Sequence, residues 1–157
     1  MTHVPKPPAR VLIADDDRSI RQLMCTIVQR EHLEVDCAAD GAECIELLQR
    51  HDYSMLLLDL MMPRVDGFGV IDWLKQHPRQ FKPVVLVITA YADQRFKDVD
   101  PDIVAGVLRK PFEVSDVGSI VRLCVHAFDE QVASDAYTDR AIHDFDVVGG
   151  RGGSSAS

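Results

Sequence analysis

The sequence has fewer basic than acidic residues, no long apolar run and no N-terminus of the signal-peptide type. Its 157 residues contain 17 Lys and Arg against 25 Asp and Glu, a formal net charge of −8. A nucleic-acid-binding module would instead carry a basic face. No stretch approaches the length of a membrane span, and no apolar region follows the initial Met. The composition therefore argues against nucleic-acid and membrane partners and predicts a soluble, cytoplasmic protein.

Cysteine pairs at metal-binding spacing are also absent. The four cysteines lie inside apolar patterns, far from one another in sequence. Isolated cysteines of this kind behave as small core residues. We therefore expect all four to be reduced and structural: Cys25, Cys37, Cys44 and Cys124.

The length and the 46% hydrophobic content predict one domain with a single core. Residues 1–8 form a proline-containing polar leader that needs no fold. Residues 9–128 carry all the periodic apolar patterns, and residues 129–157 are acidic and then rich in Gly and Ser. We expect this last segment to be disordered.

The stretch from Met55 to Leu58 is the centre of the predicted fold. Four apolar residues between polar neighbours favour a strand buried on both faces, although such a run also suits a buried helix. Further strands are predicted at residues 10–14, 33–39, 84–88 and 106–109. Helices are predicted from Asp17 or Ser19, from Asp40, from Asp66, within residues 91–105 and from about Ser115. Strands alternating with helices predict an α/β fold, a doubly wound five-stranded parallel sheet with helices on both faces.

Polar side chains follow four of these strands: Asp15 and Asp16, Asp59, Thr89 and Lys110. The carboxyl ends of parallel strands share one edge of a sheet, so these groups should converge. Crowded carboxylates raise one another's pKa unless a cation lies among them, and oxygen ligands without Cys or His suit Mg²⁺. A cation, an ammonium and a hydroxyl around one carboxylate are typical of a site for a transferred phosphoryl group.

Each of these residues also has an ordinary structural interpretation. Asp15 and Asp16 are suited to capping the first helix, and Asp59 to capping a turn. Thr89 is a common strand residue, and Lys110 is a common surface charge. Their occurrence at the ends of four strands favours the site over four independent structural roles.

The ordered motifs resemble the receiver domain of bacterial two-component response regulators. The matching pieces are Val11-Leu12-Ile13-Ala14-Asp15-Asp16-Asp17, Leu57-Leu58-Asp59-Leu60-Met61-Met62-Pro63 with Asp66-Gly67, Val87-Ile88-Thr89-Ala90 and Lys110-Pro111-Phe112. The resemblance covers roughly residues 9–128. It implies a flavodoxin-like sheet with strand order 2-1-3-4-5.

The resemblance also assigns roles in phosphoryl transfer. Asp59 would be the phosphoacceptor, a carboxylate nucleophile that attacks a phosphohistidine. Thr89 would bond the phosphoryl oxygens, and Lys110 would pair with Asp59 or with the phosphoryl group. The Lys110-Pro111 peptide bond is expected to be cis.

The metal ligands follow from the same resemblance. Asp16 would bind Mg²⁺ directly and Asp15 through water or weakly, with Asp59 and the backbone carbonyl of Met61 completing the protein ligands. The partners would be a sensor histidine kinase or histidine phosphotransferase upstream and an unidentified protein downstream. The domain would catalyse its own phosphorylation and dephosphorylation without turning over a separate substrate.

Two positions depart from the family pattern. Val107 stands three residues before the lysine, where members often carry a Tyr or Phe that turns inward on activation. Pro101 interrupts the predicted fourth helix. Tyr91 could shade the phosphoryl group or be an ordinary loop aromatic, and His126 and His143 are expected to be surface and tail residues without a phosphotransfer role.

The sequence therefore predicts a stand-alone receiver that is phosphorylated on Asp59 in a Mg²⁺-dependent reaction and signals through protein contacts. One alternative is a pseudo-receiver that binds partners without phosphorylation, and another is the receiver fragment of a longer regulator. A hydrolase of the haloacid-dehalogenase type is disfavoured, because Met61 stands where that class needs a second aspartate.

Overall fold

A computed structural model describes residues 10–79, 81–90 and 99–131, with side chains described as far as Cys124. The strands are β1 (Arg10–Ala14), β2 (Glu34–Ala38), β3 (Met55–Leu58), β4 (Val84–Thr89) and β5 (Val104–Arg109). The helices are α1 (Arg18–Arg30), α2 (Gly41–Arg50), α3 (Gly67–Gln76) and, named α4 here, Val114–Gln131. Within this part of the chain, no helix combines the length and apolarity needed to cross a bilayer.

The five strands form one sheet in the order β2-β1-β3-β4-β5, and every pairing is parallel. The predicted fold class and strand order are thus confirmed. β3 lies at the centre, where Ala14 of β1 and Val87 of β4 both align with Leu58. The carboxyl ends of β1, β3 and β4 therefore meet at one edge of the sheet.

The core divides into two layers because successive strand residues point to opposite faces. Val11, Ile13 and Leu57 face the layer under α1 and α4. Leu12 and Leu58 face the layer under α2 and α3. All four residues of β3 are buried, which explains why the strand reads as a continuous apolar run rather than an alternating one.

Aspartates begin three of the helices. Asp17 accepts hydrogen bonds from the backbone N–H groups of Ser19 and Ile20, so Asp17 rather than Ser19 caps α1. Asp40 caps α2 and Asp66 caps α3 in the same way. These caps satisfy backbone donors that have no partner within the helix.

The prediction of a helix within residues 91–105 is wrong for the part that the structure describes. Residues 99–103 form a turn, and β5 begins at Val104, two residues before the predicted start. Asp100 accepts the N–H of Asp102 on its side chain and those of Ile103 and Val104 on its carbonyl. Pro101 lies inside this turn and has no N–H to extend a helix. The rest of the predicted helix lies outside the described residues.

The expectation of four reduced cysteines is also wrong. Cys25 of α1 and Cys37 of β2 form a disulfide. These two residues are 12 positions apart, and they meet only because α1 packs beside β2. Cys44 and Cys124 are free and buried as expected, and burial raises the pKa of each thiol to about 12.

Candidate functional site

The site lies at the carboxyl edge of the central strands. The backbone N–H of Asp59 donates to the carbonyl of Ala14 at 2.9 Å, which places the residues following β1 and β3 side by side. The N–H of Lys110 donates to the carbonyl of Thr89 at 3.0 Å, which joins the ends of β4 and β5 in the same manner. These bonds extend the pairing of β1 with β3 and of β4 with β5, so the residues that follow all four strands lie at one edge of the sheet.

Asp15, Asp16 and Asp59 form a carboxylate cluster in which one oxygen from each lies within 4.8 Å of the others. Asp15 is fully buried and Asp59 nearly so, whereas Asp16 is exposed. The backbone N–H of Asp17 donates to Oδ1 of Asp15 at 2.9 Å and so fixes that side chain. The cluster is therefore buried at Asp15 and Asp59 and open to solvent at Asp16.

Lys110 is the cation of this cluster. Its Nζ lies 2.9 Å from Oδ2 of Asp15 and 3.2 Å from Oδ2 of Asp59. Burial acts to lower the pKa of Lys110, but the two carboxylates outweigh it and the net pKa is raised. The ammonium is therefore charged at neutral pH. The Lys110–Pro111 bond is cis, as expected.

The environment of Asp59 opposes its charge. Burial raises the pKa of its carboxyl group above the usual range, against the opposing effects of the Met61 N–H and of Lys110. That N–H donates to Oδ1 of Asp59 at 3.2 Å. Three carboxylates and one ammonium leave an excess of negative charge that a further cation would neutralise.

The donor set fits Mg²⁺. Oδ2 of Asp15 is buried and accepts no hydrogen bond of acceptable geometry, although Lys110 Nζ lies 2.9 Å away. That oxygen therefore pairs with Lys110, and the three carboxylate charges of the cluster still exceed the one ammonium charge. The cluster offers only oxygen ligands, as Mg²⁺ prefers, and contains no Cys or His for zinc.

The remaining predicted site residues flank this cluster. Thr89 is buried at the last position of β4. Met61 follows β3 with its side chain exposed, while its backbone contacts Asp59. Val107 is half-buried in β5 and packs against the α2–α3 layer. Tyr91, the side chain of His126 and His143 lie outside the described residues.

Several residues that support the site were not predicted from the sequence. Arg21 of α1 donates to the carbonyl of Asp15 at 2.7 Å. A Cβ atom on Gly67 would lie 2.5 Å from the carbonyl oxygen of Asp59, so only glycine permits this close approach. The Asp66-Gly67 pair was visible as a turn signal, but its contact with Asp59 depends on tertiary packing. Arg64 pairs with Asp40 across 24 positions, for which the sequence offers no signal.

A family model for the response regulator receiver domain matches residues 11–122. The chain belongs to the response regulator receiver family. The match covers β1 from Val11 onward, β2 to β5 and the first half of α4, and it includes every predicted site residue. Receiver domains of this family typically bind Mg²⁺ at an acidic pocket and interact with histidine kinases or phosphotransferases.

Known proteins agree with this assignment. The transcriptional regulatory protein PdtaR of Mycobacterium tuberculosis is 34% identical over 128 residues, which is 80% of this chain and 61% of PdtaR. The chain thus spans less than two thirds of that relative. The chemotaxis response regulator CheY4 of Vibrio cholerae superposes with a TM-score of 0.67 at 26% identity, covering 74% of this chain and 98% of CheY4.

A third similarity concerns the fold alone. The response regulator TrrA of Thermotoga maritima, solved in complex with Mg²⁺–BeF, has a TM-score of 0.64 at 24% identity. The match covers 73% of this chain and 97% of TrrA. The receiver chain accordingly shares its architecture with these proteins over most of its described residues.

Proposed function

We propose that this receiver accepts a phosphoryl group on Asp59 from a phosphohistidine of a sensor histidine kinase or histidine phosphotransferase. The observation that carries the proposal is the carboxylate cluster with Lys110 at the carboxyl edge of β1, β3 and β5. Asp59 is the member that stands centrally and bonds Lys110 and the Met61 N–H.

In the proposed reaction, a carboxylate oxygen of Asp59 attacks the phosphorus atom of the donor. The bond from phosphorus to the donor histidine nitrogen breaks, and the nitrogen leaves with the electron pair and takes up a proton. Lys110 offsets the negative charge on the transferred group, and Thr89 donates its hydroxyl to a phosphoryl oxygen. The product is a mixed acyl–phosphoryl anhydride on Asp59.

The proposed metal ligands are the carboxylates of Asp15, Asp16 and Asp59 and the backbone carbonyl of Met61. When bound, Mg²⁺ would neutralise charge on the phosphoryl oxygens. The oxygen-only donor set and its excess of carboxylate charge over the single Lys110 ammonium support this assignment. The raised pKa of Asp59 supports it too, since a cation favours the ionised nucleophile.

We propose that the phosphorylated receiver signals through protein–protein contacts as a stand-alone cytoplasmic module. A second candidate is the receiver segment of a longer regulator, which the 61% coverage of PdtaR favours. The third is a pseudo-receiver that binds its partner without phosphorylation. The presence of Asp16, Asp59, Thr89 and Lys110 supports phosphorylation over this third candidate.

Intact-mass analysis tests the proposal. The protein is incubated with acetyl phosphate, a small-molecule phosphodonor, in Mg²⁺ or in EDTA. We expect one added phosphoryl group only in Mg²⁺, and none for Asp59→Asn. Asp72→Asn, a matched change at an exposed aspartate of α3, should be labelled like the wild type. Labelling of Asp59→Asn would contradict the assignment, and an unlabelled wild type would favour the pseudo-receiver.

A further inference from the structure

The loop after the phosphoacceptor, residues 59–66, is fastened to the N-terminus of α2. Arg64 Nε donates to Oδ2 of Asp40 at 2.9 Å, and its NH2 group donates to the same oxygen. The N–H of Gly41 donates to the carbonyl of Val65 at 2.8 Å. A side chain and a backbone contact thus join adjacent residues of the loop to adjacent residues of the helix.

The two oxygens of Asp40 have separate roles. Oδ1 accepts the N–H of Glu43 at 2.8 Å and caps α2, while Oδ2 receives Arg64. The Glu43 N–H, and after it Arg64, hold the pKa of Asp40 below its usual range against the effect of burial. Asp40 is buried, whereas the Arg64 side chain is 67% exposed, so the pair is shielded from solvent on the Asp40 side only.

Arg64 also has an unusual backbone conformation. Arg64 has a φ of 65°, a left-handed backbone conformation that L residues other than Asn and Asp seldom adopt. Such a conformation persists when surrounding contacts hold it. The loop begins with the Met61 N–H on Asp59 and ends with the Gly67 N–H on the carbonyl of Leu60. Arg64 therefore lies in the middle of a loop whose first residues contact the nucleophile.

We infer that Arg64 is a positioning residue. Its pairing with Asp40 holds the 59–66 loop so that the N–H of Met61 can donate to Asp59 and the carbonyl of Met61 can bind the metal. The inference rests on the proposed function, because it concerns the proposed Mg²⁺ ligand Met61. It goes further by making Mg²⁺ affinity depend on a contact between the loop and α2. Arg64 itself needs no contact with the ion or the phosphoryl group.

Electrostatics alone predicts the opposite outcome, which makes the inference testable. Removing the positive charge of Arg64 would by Coulomb attraction strengthen the binding of a cation nearby. A positioning role predicts weaker binding. Arg64→Asn separates the two, because asparagine tolerates the left-handed backbone while it lacks the guanidinium group. Arg50→Gln is the matched control, since it removes one positive charge from the exposed Arg50–Glu46 pair of α2.

The experiment is a calorimetric Mg²⁺ titration of the full chain, without phosphodonor. We expect Arg64→Asn to bind Mg²⁺ about tenfold more weakly, the scale seen when an outer-shell partner of a metal is lost. Asp40→Asn keeps an oxygen for the α2 cap but presents no carboxylate to Arg64. It should weaken binding too, and adding Arg64→Asn to it should cause little further loss.

Phosphorylation kinetics separate positioning from general destabilisation. With acetyl phosphate, Arg64→Asn should need about tenfold more Mg²⁺ for half-maximal rate, yet approach the wild-type rate at saturating Mg²⁺. Equal or tighter Mg²⁺ binding by Arg64→Asn, with normal binding by the wild type, would overturn the inference alone. Absence of Mg²⁺ binding by the wild type would instead overturn the proposed function, and the inference with it.

Discussion

At the scale of single residues, Asp59, the proposed nucleophile, lies in an environment that opposes its charge. Burial raises the pKa of this carboxyl group more than the Met61 N–H and Lys110 lower it. A carboxyl group whose pKa is higher in the folded chain contributes stability below its ordinary pKa of about 4. That contribution is lost as the pH rises through the raised pKa.

The first prediction follows from the direction of this pKa shift. In EDTA at pH 8, Asp59→Asn should melt about 2–4 °C above the wild type, because the uncharged amide avoids burying a carboxylate. The difference should shrink towards pH 4, where the wild-type carboxyl group becomes protonated. Differential scanning calorimetry across this pH range measures it, with Asp72→Asn as the exposed control. A lower melting temperature for Asp59→Asn at pH 8 would mean that the Lys110 pair outweighs burial.

Lys110 is predicted to share a role with the metal, because both offset the same carboxylates. Lys110→Met should lower the free energy of unfolding by about 2 kcal/mol in EDTA, less than for a fully buried pair because the lysine keeps some exposure. Added Mg²⁺ should recover part of this loss, so the variant should gain more from Mg²⁺ than the wild type does. Urea unfolding with and without Mg²⁺ measures both quantities.

The control for this second prediction is Lys75→Met, which breaks the surface pair with Asp100. Exposed pairs contribute little, so this variant should be nearly neutral and insensitive to Mg²⁺. An equal Mg²⁺ response in Lys110→Met and the wild type would contradict the shared role.

The residues of the site were predictable to different degrees. Asp15, Asp59 and Lys110 could be found because each follows an apolar strand, and parallel strand ends share an edge. Arg64 and the disulfide partners Cys25 and Cys37 could not be found, since their contacts form only when separate elements pack together. Sequence periodicity locates elements, but it does not specify which side chains meet across them.

At the scale of elements, α2 approaches the 59–66 loop closely enough to require a glycine. A Cβ atom on Gly41 would lie 2.1 Å from the carbonyl oxygen of Val65, a backbone atom that cannot simply rotate away. Gly118, within α4, differs. A Cβ atom there would lie 3.7 Å from the nearest side-chain atoms, which belong to Arg122 and Ile27. Gly41 and Gly118 thus offer a comparison between a tight and an open position for a Cβ atom.

The third prediction is that alanine has opposite effects at these positions. Alanine generally stabilises a helix relative to glycine by about 0.5–1 kcal/mol. Gly118→Ala should show this gain, whereas Gly41→Ala should lower stability and weaken Mg²⁺ binding by displacing the loop. Thermal unfolding and Mg²⁺ titration of both variants provide the test. A stabilising Gly41→Ala would show that α2 is free to shift from the loop.

The elements themselves were largely predictable, with one informative failure. The aspartate caps and apolar spacing located α1, α2 and α3, and the β-branched run located β4. The predicted helix before β5 failed over residues 99–103, because Asp100 and Pro101 favour a turn in which side chain and carbonyl both accept N–H groups. Local turn chemistry therefore decides the conformation of residues 99–103.

At the scale of the whole molecule, the sheet is covered on both faces by described helices. α1 and α4 cover one layer, and α2 and α3 contribute to the other. The strand order was implied by the family resemblance, whereas the alternation of strands and helices by itself indicated only a parallel sheet. Burial on both faces explains why β3 and β4 are almost entirely apolar.

The last prediction concerns how much of the chain this core needs. Among the side chains described in α4, which end at Cys124, the buried apolar ones are Val117, Ile120, Val121 and Cys124. Beyond residue 131 the sequence has no periodic apolar face. A truncation after Val132 should therefore melt within about 2 °C of the full chain, a shift of less than roughly 1 kcal/mol. It should also be labelled by acetyl phosphate at the same rate.

A truncation after Ser119 removes Ile120, Val121 and Cys124 from the layer over α1 and should not fold. Circular dichroism and intact mass distinguish the two truncations. Unfolding of the longer one would show that the residues after Val132 take part in the core.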